Sequence, residues 1–189
     1  MLLTSSFDVP VAPEQAWELL LDLARVIPCM PGAELAETVG DSRWKGRLHV
    51  KLGPMALVFE TDVRRENADH SALRATFAAS ARELKGRGGG TARLDASLAP
   101  AEAGTNVRVR TDLALSGVVA QTARPIVESM SDEFVASLAA CLKVHLTGSD
   151  EEAAAARAAQ AAPVNGHALA VRAVWRHVDE LVHRLTQRH

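Results

Sequence analysis

The sequence predicts an α+β fold in which a curved seven-stranded antiparallel sheet wraps around one long C-terminal helix, with a linker and a separate amphipathic tail helix beyond it. Three observations carry this reading. From Gly117 to Leu146 the apolar residues Val119, Ala123, Ile126, Val127, Met130, Phe134, Leu138, Cys141 and Leu142 recur in steps of three and four, which places them on one helical face. Upstream, short alternating segments are separated by Gly, Pro and Asn turns at hairpin spacing. Downstream, the apolar pattern breaks at Gly148 and resumes only after Gly166.

The elements follow in order. Leu3, Ser5, Phe7 and Val9 alternate with Leu2, Thr4, Ser6 and Asp8, an opening strand. Pro13 starts a short helix, where its fixed φ costs nothing, and Glu14 suits the positive end of the dipole. Trp17, Leu20, Leu21 and Ala24 form the inner face of that helical pair, which Pro28 and Pro31-Gly32 end. Strands then follow over Ala33–Val39, Arg43–Leu52 and Met55–Arg65, joined by turns at Gly40-Asp41 and Gly53-Pro54. Further alternation around Leu73–Ala79, Ala92–Leu98 and Thr105–Ser116 completes the sheet. The domain so defined spans residues 1–147, an Ala-rich flexible linker spans 148–166, and the tail helix spans 167–189.

Composition narrows the function classes. A chain of 189 residues is long enough for one core that buries roughly 70% of the unfolded surface. Aromatics are 4% with no Tyr, and the net charge is −2. That is thin for base stacking and supplies no field for a polyanion, so no nucleic-acid partner is expected. Cys29 and Cys141 read as two buried free thiols of a reducing compartment rather than as a disulfide. The N-terminus has neither the basic nor the apolar region of a signal peptide, and no stretch reaches membrane-span length. These features place the chain in the cytoplasm.

Candidate chemistry is sparse. Lys85-Gly86-Arg87-Gly88-Gly89-Gly90-Thr91 lacks the terminal Lys-Ser/Thr and the following helix of a phosphate loop, so it reads as a glycine-rich bend between strands. The seven histidines show no metal-ligand spacing, and no metal site is expected. Asp22 and Glu37 fall near the expected mouth of the sheet, but two acids at loop ends do not make a general acid–base pair. No catalytic residue is assigned.

The inward set is more informative: Trp44, Leu48, Val50, Leu57, Phe59, Phe77, Leu98, Val107, Val109, Leu113, Val119, Ile126, Met130 and Phe134. Between them stand Gly46, Thr61, Ala75, Ala79, Ala92 and Ala96, too small to fill the space under a long helix at protein packing density. A lined cavity with an apolar ligand follows. In the tail, Val171, Val174, Trp175, Val178, Leu181, Val182 and Leu185 make one apolar face, with Arg172, Arg176, Arg184 and Arg188 on the other. Such a helix can lie at a membrane surface, dock on a partner, or pack on its own domain.

Several local stretches resemble a known family. They are Phe7-Asp8-Val9, Pro13-Glu14 with Trp17, and Cys29-Met30-Pro31-Gly32-Ala33-Glu34. Then come Trp44-Lys45-Gly46, Val50-Lys51-Leu52-Gly53-Pro54, and Leu115-Ser116-Gly117 with Phe134 beyond it. Together they resemble the CoxG-like family of carbon monoxide dehydrogenase subunits, within the START/SRPBCC helix-grip superfamily. The resemblance implies a non-catalytic accessory protein of a molybdenum hydroxylase of the carbon monoxide dehydrogenase type. It implies a quinone or other lipid-like ligand in the cavity, no catalytic cofactor, and recruitment of the enzyme complex to the inner face of the cytoplasmic membrane. Two other classes fit the same pattern: a polyketide cyclase or aromatase-like enzyme, which needs convergent polar groups in the cavity, and a protein-interaction subunit with a filled core.

Overall fold

The computed structural model describes residues 1–52, 55–162 and 164–165, with the backbone alone at Leu52, 122–134 and 164–165. Strand β1 (Leu2–Val9) leads into α1 (Pro13–Leu21), α2 (Leu23–Val26) and a 3-10 turn (Ile27–Cys29). Six strands follow: β2 (Ala33–Val39), β3 (Arg43–Leu52), β4 (Met55–Asp69), β5 (Arg74–Glu83), β6 (Gly88–Ala101) and β7 (Gly104–Ser116). Helices α3 (Gly117–Thr147) and α4 (Asp150–Gln160) and a two-residue β8 (Val164–Asn165) complete the described chain.

The sheet order is β1-β7-β6-β5-β4-β3-β2. Each of β2 to β6 pairs antiparallel with its successor, and β1 joins β7 through Leu2↔Asp112 to Val9↔Thr105. β8 lies parallel to β3 at Val50↔Val164. Alternation sets the two faces: in β1, Leu3, Ser5, Phe7 and Val9 turn inward while Leu2, Thr4, Ser6 and Asp8 are exposed. Bulges between Leu35 and Glu37 and between Arg65 and Asn67 add the local twist that curls the sheet. The outer face carries ion pairs such as Arg43–Asp62, Lys45–Glu37 and Arg93–Glu66, each worth little at an exposed site.

The helices pack against the concave face. Trp17 and Leu19 of α1, Val26 of α2 and Leu142 of α3 are buried in one cluster with Val107 and Phe77, and Leu57, Phe59 and Val119 form a second. α3 leaves β7 through Gly117 at φ +69. A Cβ there would stand 2.7 Å from Gly88 Cα and 2.8 Å from Arg87 O, so only glycine lets the helix begin against the β5–β6 hairpin. The glycine-rich stretch is that hairpin. The Glu83 carboxylate, 3% exposed, accepts bonds from the amides of Lys85 (2.8 Å) and Arg87 (3.0 Å).

Two expectations are corrected. Cys29 and Cys141 are not free thiols: they form a disulfide with a Cα–Cα distance of 5.5 Å, joining the 3-10 turn to α3. Both segments are apolar and buried, and sequence separation hides that folding brings them together. Residues 150–160, read as flexible linker, form α4. Ser149 and Glu152 make a reciprocal capping box, and Ala153 is buried. The Gln160 carbonyl accepts from Gly32 N at 2.8 Å. Alanine lets two backbones approach closely, so this helix docks without large apolar side chains.

Candidate ligand cavity

Between the sheet and the helices lies a cavity of about 560 Å³. One end is walled by Trp17, Leu20 and Leu21 of α1, Leu23 and Val26 of α2, and Ile27 and Met30. Val119, Val135 and Leu138 of α3 form another wall. The sheet supplies the rest, and its centre is the row of small residues Ala75, Ala79, Ala92 and Ala96 with Thr61.

Of the inward set, Leu48, Val50, Leu57, Phe59, Phe77, Leu98, Val107, Val109, Leu113 and Val119 line this space. Trp44 does not. It is 4% exposed and packs under the Arg65 guanidinium, 5.9 Å from its ring centre. Arg65 in turn donates to the carbonyls of Leu21 (3.4 Å) and Asp41 (2.8 Å), so this pair plugs the sheet beside the cavity. The side chains of Ile126, Met130 and Phe134 lie outside the described residues. So do all the tail positions, Val171 to Arg188, and the expected Gly53-Pro54 turn.

Several lining residues are absent from the inward set although their alternation showed them: Leu3, Ser5 and Phe7 on β1, Leu94 on β6, and Thr111 and Leu115 on β7. Met30 gave no such signal, because it follows a turn and obeys no period.

The lining is chemically quiet. Arg47 is its one charged residue among those described, and it is exposed. Ser80 and Thr91 border the space from the outward row, while Ser5, Thr61 and Thr111 are inward hydroxyls. Neither expected acid contributes: the Asp22 carboxylate accepts from Ala24 N at 3.2 Å as the cap of α2, and Glu37 pairs with Lys45 at 3.0 Å outside the sheet. No group of His, Cys, Asp and Glu suited to a metal occurs among the described residues, and no helix among them is long and apolar enough to cross a membrane.

The disulfide end carries the one perturbed imidazole among the described residues. His145 of α3 accepts from Arg25 Nε at 3.0 Å, and Arg157 Nη1 of α4 lies 3.0 Å from its other ring nitrogen. Burial, then the two guanidiniums, push its pKa below the usual histidine value, so the ring is neutral there.

Comparison with known proteins gives the fold and the family. Among solved structures, a conserved protein from Geobacillus kaustophilus matches with a TM-score of 0.67 at 14% identity, covering 77% of this chain and 95% of that one. A protein from Rhodobacter sphaeroides matches at 0.55 and 18% identity, covering 78% and 93%. An aromatase/cyclase from a Streptomyces strain matches at 0.53 and 13% identity, covering 77% and 95%. At these identities the likeness shows the helix-grip fold alone. No curated protein matches the sequence. The family model for CoxG, a subunit of carbon monoxide dehydrogenase, matches residues 5–147. That is nearly the whole sheet and all of α3, and the chain belongs to the CoxG family of carbon monoxide dehydrogenase subunits.

Proposed function

We propose that this protein is a non-catalytic accessory protein of a carbon monoxide dehydrogenase-type molybdenum hydroxylase. It shelters an apolar ligand, an isoprenoid quinone or similar lipid, and helps bring the enzyme to the cytoplasmic membrane. Family membership supports the accessory role. The observation that carries the ligand is the cavity. Its 560 Å³ falls within the ~300–1,000 Å³ range of small-molecule sites, and apolar walls left empty forfeit their dispersion contacts. The enzymatic reading needs convergent polar groups inside the cavity; among the described lining residues the one charge is the exposed Arg47, while Arg65 is committed to two carbonyls and Glu83 to two amides.

Protein purified from its host and extracted with organic solvent should release a quinone or lipid in near-stoichiometric amount by mass spectrometry. An extract with no such compound refutes the ligand. For recruitment, the full chain should sediment with anionic liposomes and a chain ending at Asn165 should not. Truncation at Gly148 is unsuitable because it removes the docked α4. Equal sedimentation of both forms refutes the tail as the membrane element. Co-purification of the dehydrogenase with the full chain tests the partner.

A further inference from the structure

We infer that the cavity ligand is a neutral lipid bearing a carbonyl or hydroxyl oxygen, and that this oxygen is seated against the hydroxyls of Ser5 and Thr111. The inference rests on the ligand-binding role proposed above, in which a quinone already carries such an oxygen, and adds the place where that oxygen sits.

Ser5 lies opposite Val109, and Thr111 opposite Leu3. The two are therefore diagonal neighbours on adjacent strands, about 7–8 Å apart at the backbone, and both line the cavity. Neither side-chain hydroxyl makes a hydrogen bond among the described residues. Among the described residues no enclosed side-chain oxygen lacks a partner, so neither of these hydroxyls is sealed in packed carbon. Other hydroxyls of β7 behave differently: Thr105 donates to the Val11 carbonyl at 2.7 Å and Ser116 to that of Gly89 at 3.3 Å. Two hydroxyls on one wall of an apolar cavity, with no partner among the described residues, are donors and acceptors open to a ligand atom.

The surroundings define the class. A hydrocarbon would cover both hydroxyls and leave them unpaired. A fatty-acid carboxylate seated there would lose its hydration with no cation of the described residues beside it, since Arg65 is committed to Leu21 and Asp41 and Arg47 stands on β3, five strands from β1 in the sheet order. A ketone, quinone, ester or alcohol oxygen satisfies both hydroxyls and carries no charge.

The test uses the delipidated full chain and three probes of equal length: a long-chain methyl ketone, the alkane and the fatty acid. Affinity is read from tryptophan emission, because Trp17 lines the cavity. The ketone should bind tightest. Ser5→Ala and Thr111→Val should each weaken the ketone by about two- to tenfold and leave the alkane unchanged. Thr111→Ser, which keeps the hydroxyl, and Thr4→Val on the outward face should match the wild type. Unchanged ketone affinity in Ser5→Ala and Thr111→Val, or equal losses for ketone and alkane, overturns the polar seat while leaving an apolar ligand in place. Failure of every probe to bind the wild type refutes the ligand-binding role itself, and this seat with it.

Discussion

Breaking the Cys29–Cys141 bridge should destabilise the fold by several kcal/mol. The bridge spans 112 residues of sequence. Chain-entropy reasoning for a loop of that length gives about 4.8 kcal/mol at 25 °C. Bridges commonly deliver less, near 2–4 kcal/mol, because the unfolded chain keeps some structure. At roughly 2–4 °C per kcal/mol for a domain of this size, the melting temperature should fall by on the order of 10 °C. The double variant Cys29→Ala/Cys141→Ala isolates the cross-link, since both positions are buried at 0% and 2% exposure and alanine adds no polar group. The assay is thermal unfolding followed by circular dichroism, for wild type with and without a phosphine reductant and for the double variant. Alkylation before reduction, counted by mass, should find no free thiol. Two alkylated cysteines in unreduced protein, or a melting shift under about 2 °C on reduction, would refute the reasoning.

Other changes act on single elements. Gly117→Ala forces a side chain into φ +69 and onto the hairpin backbone, and should cost about 1–3 kcal/mol in urea unfolding; a smaller loss means the turn relaxes. Acidification should loosen the contact of α4 with α3, where Arg157 meets His145. The pKa of His145 is depressed in the folded state, so the unfolded chain holds more protons below its ordinary value of 6.5. Stability is therefore present above that pH and lost as pH falls through the folded pKa, and His145→Gln should flatten the pH dependence of amide exchange in residues 150–160. Ala79→Leu with Ala92→Leu should fill the cavity centre, abolish uptake of apolar probes and keep the melting temperature within a few degrees. A large loss of stability would mean those alanines already touch packed neighbours.

Much of the fold could be read because its signals are local. Alternation placed all seven strands, and the step pattern placed α3 within a residue of its observed C-terminal end. The inner row was legible for the same reason, since a strand's two faces separate at every second residue. Trp44 shows the limit. It lies on the inward row, yet which inward residues border space and which border a plug depends on Arg65 and on the carbonyls of Leu21 and Asp41, which folding brings from separate elements. The disulfide failed for a similar reason. α4 is different: its Ser149-to-Glu152 capping box is a local signal, but its buried face carries alanine where a docked helix ordinarily carries large apolar residues.

The cavity persists because α3 is held at both ends over a sheet too small in its middle to meet it. At its start, Gly117 bridges Gly88, and Val119 N donates to the Arg87 carbonyl. Near its other end, Cys141 is bonded to Cys29, and His145 sits between Arg25 and Arg157. Under the span between them the sheet presents Ala75, Ala79, Ala92 and Ala96. A helix free at either end could tilt toward those alanines and recover the lost dispersion contacts; one pinned at both cannot. On this account the bridge supports the cavity as well as the fold. The double cysteine variant, measured below its melting point, should therefore bind apolar probes more weakly than the wild type even while its circular dichroism spectrum is unchanged.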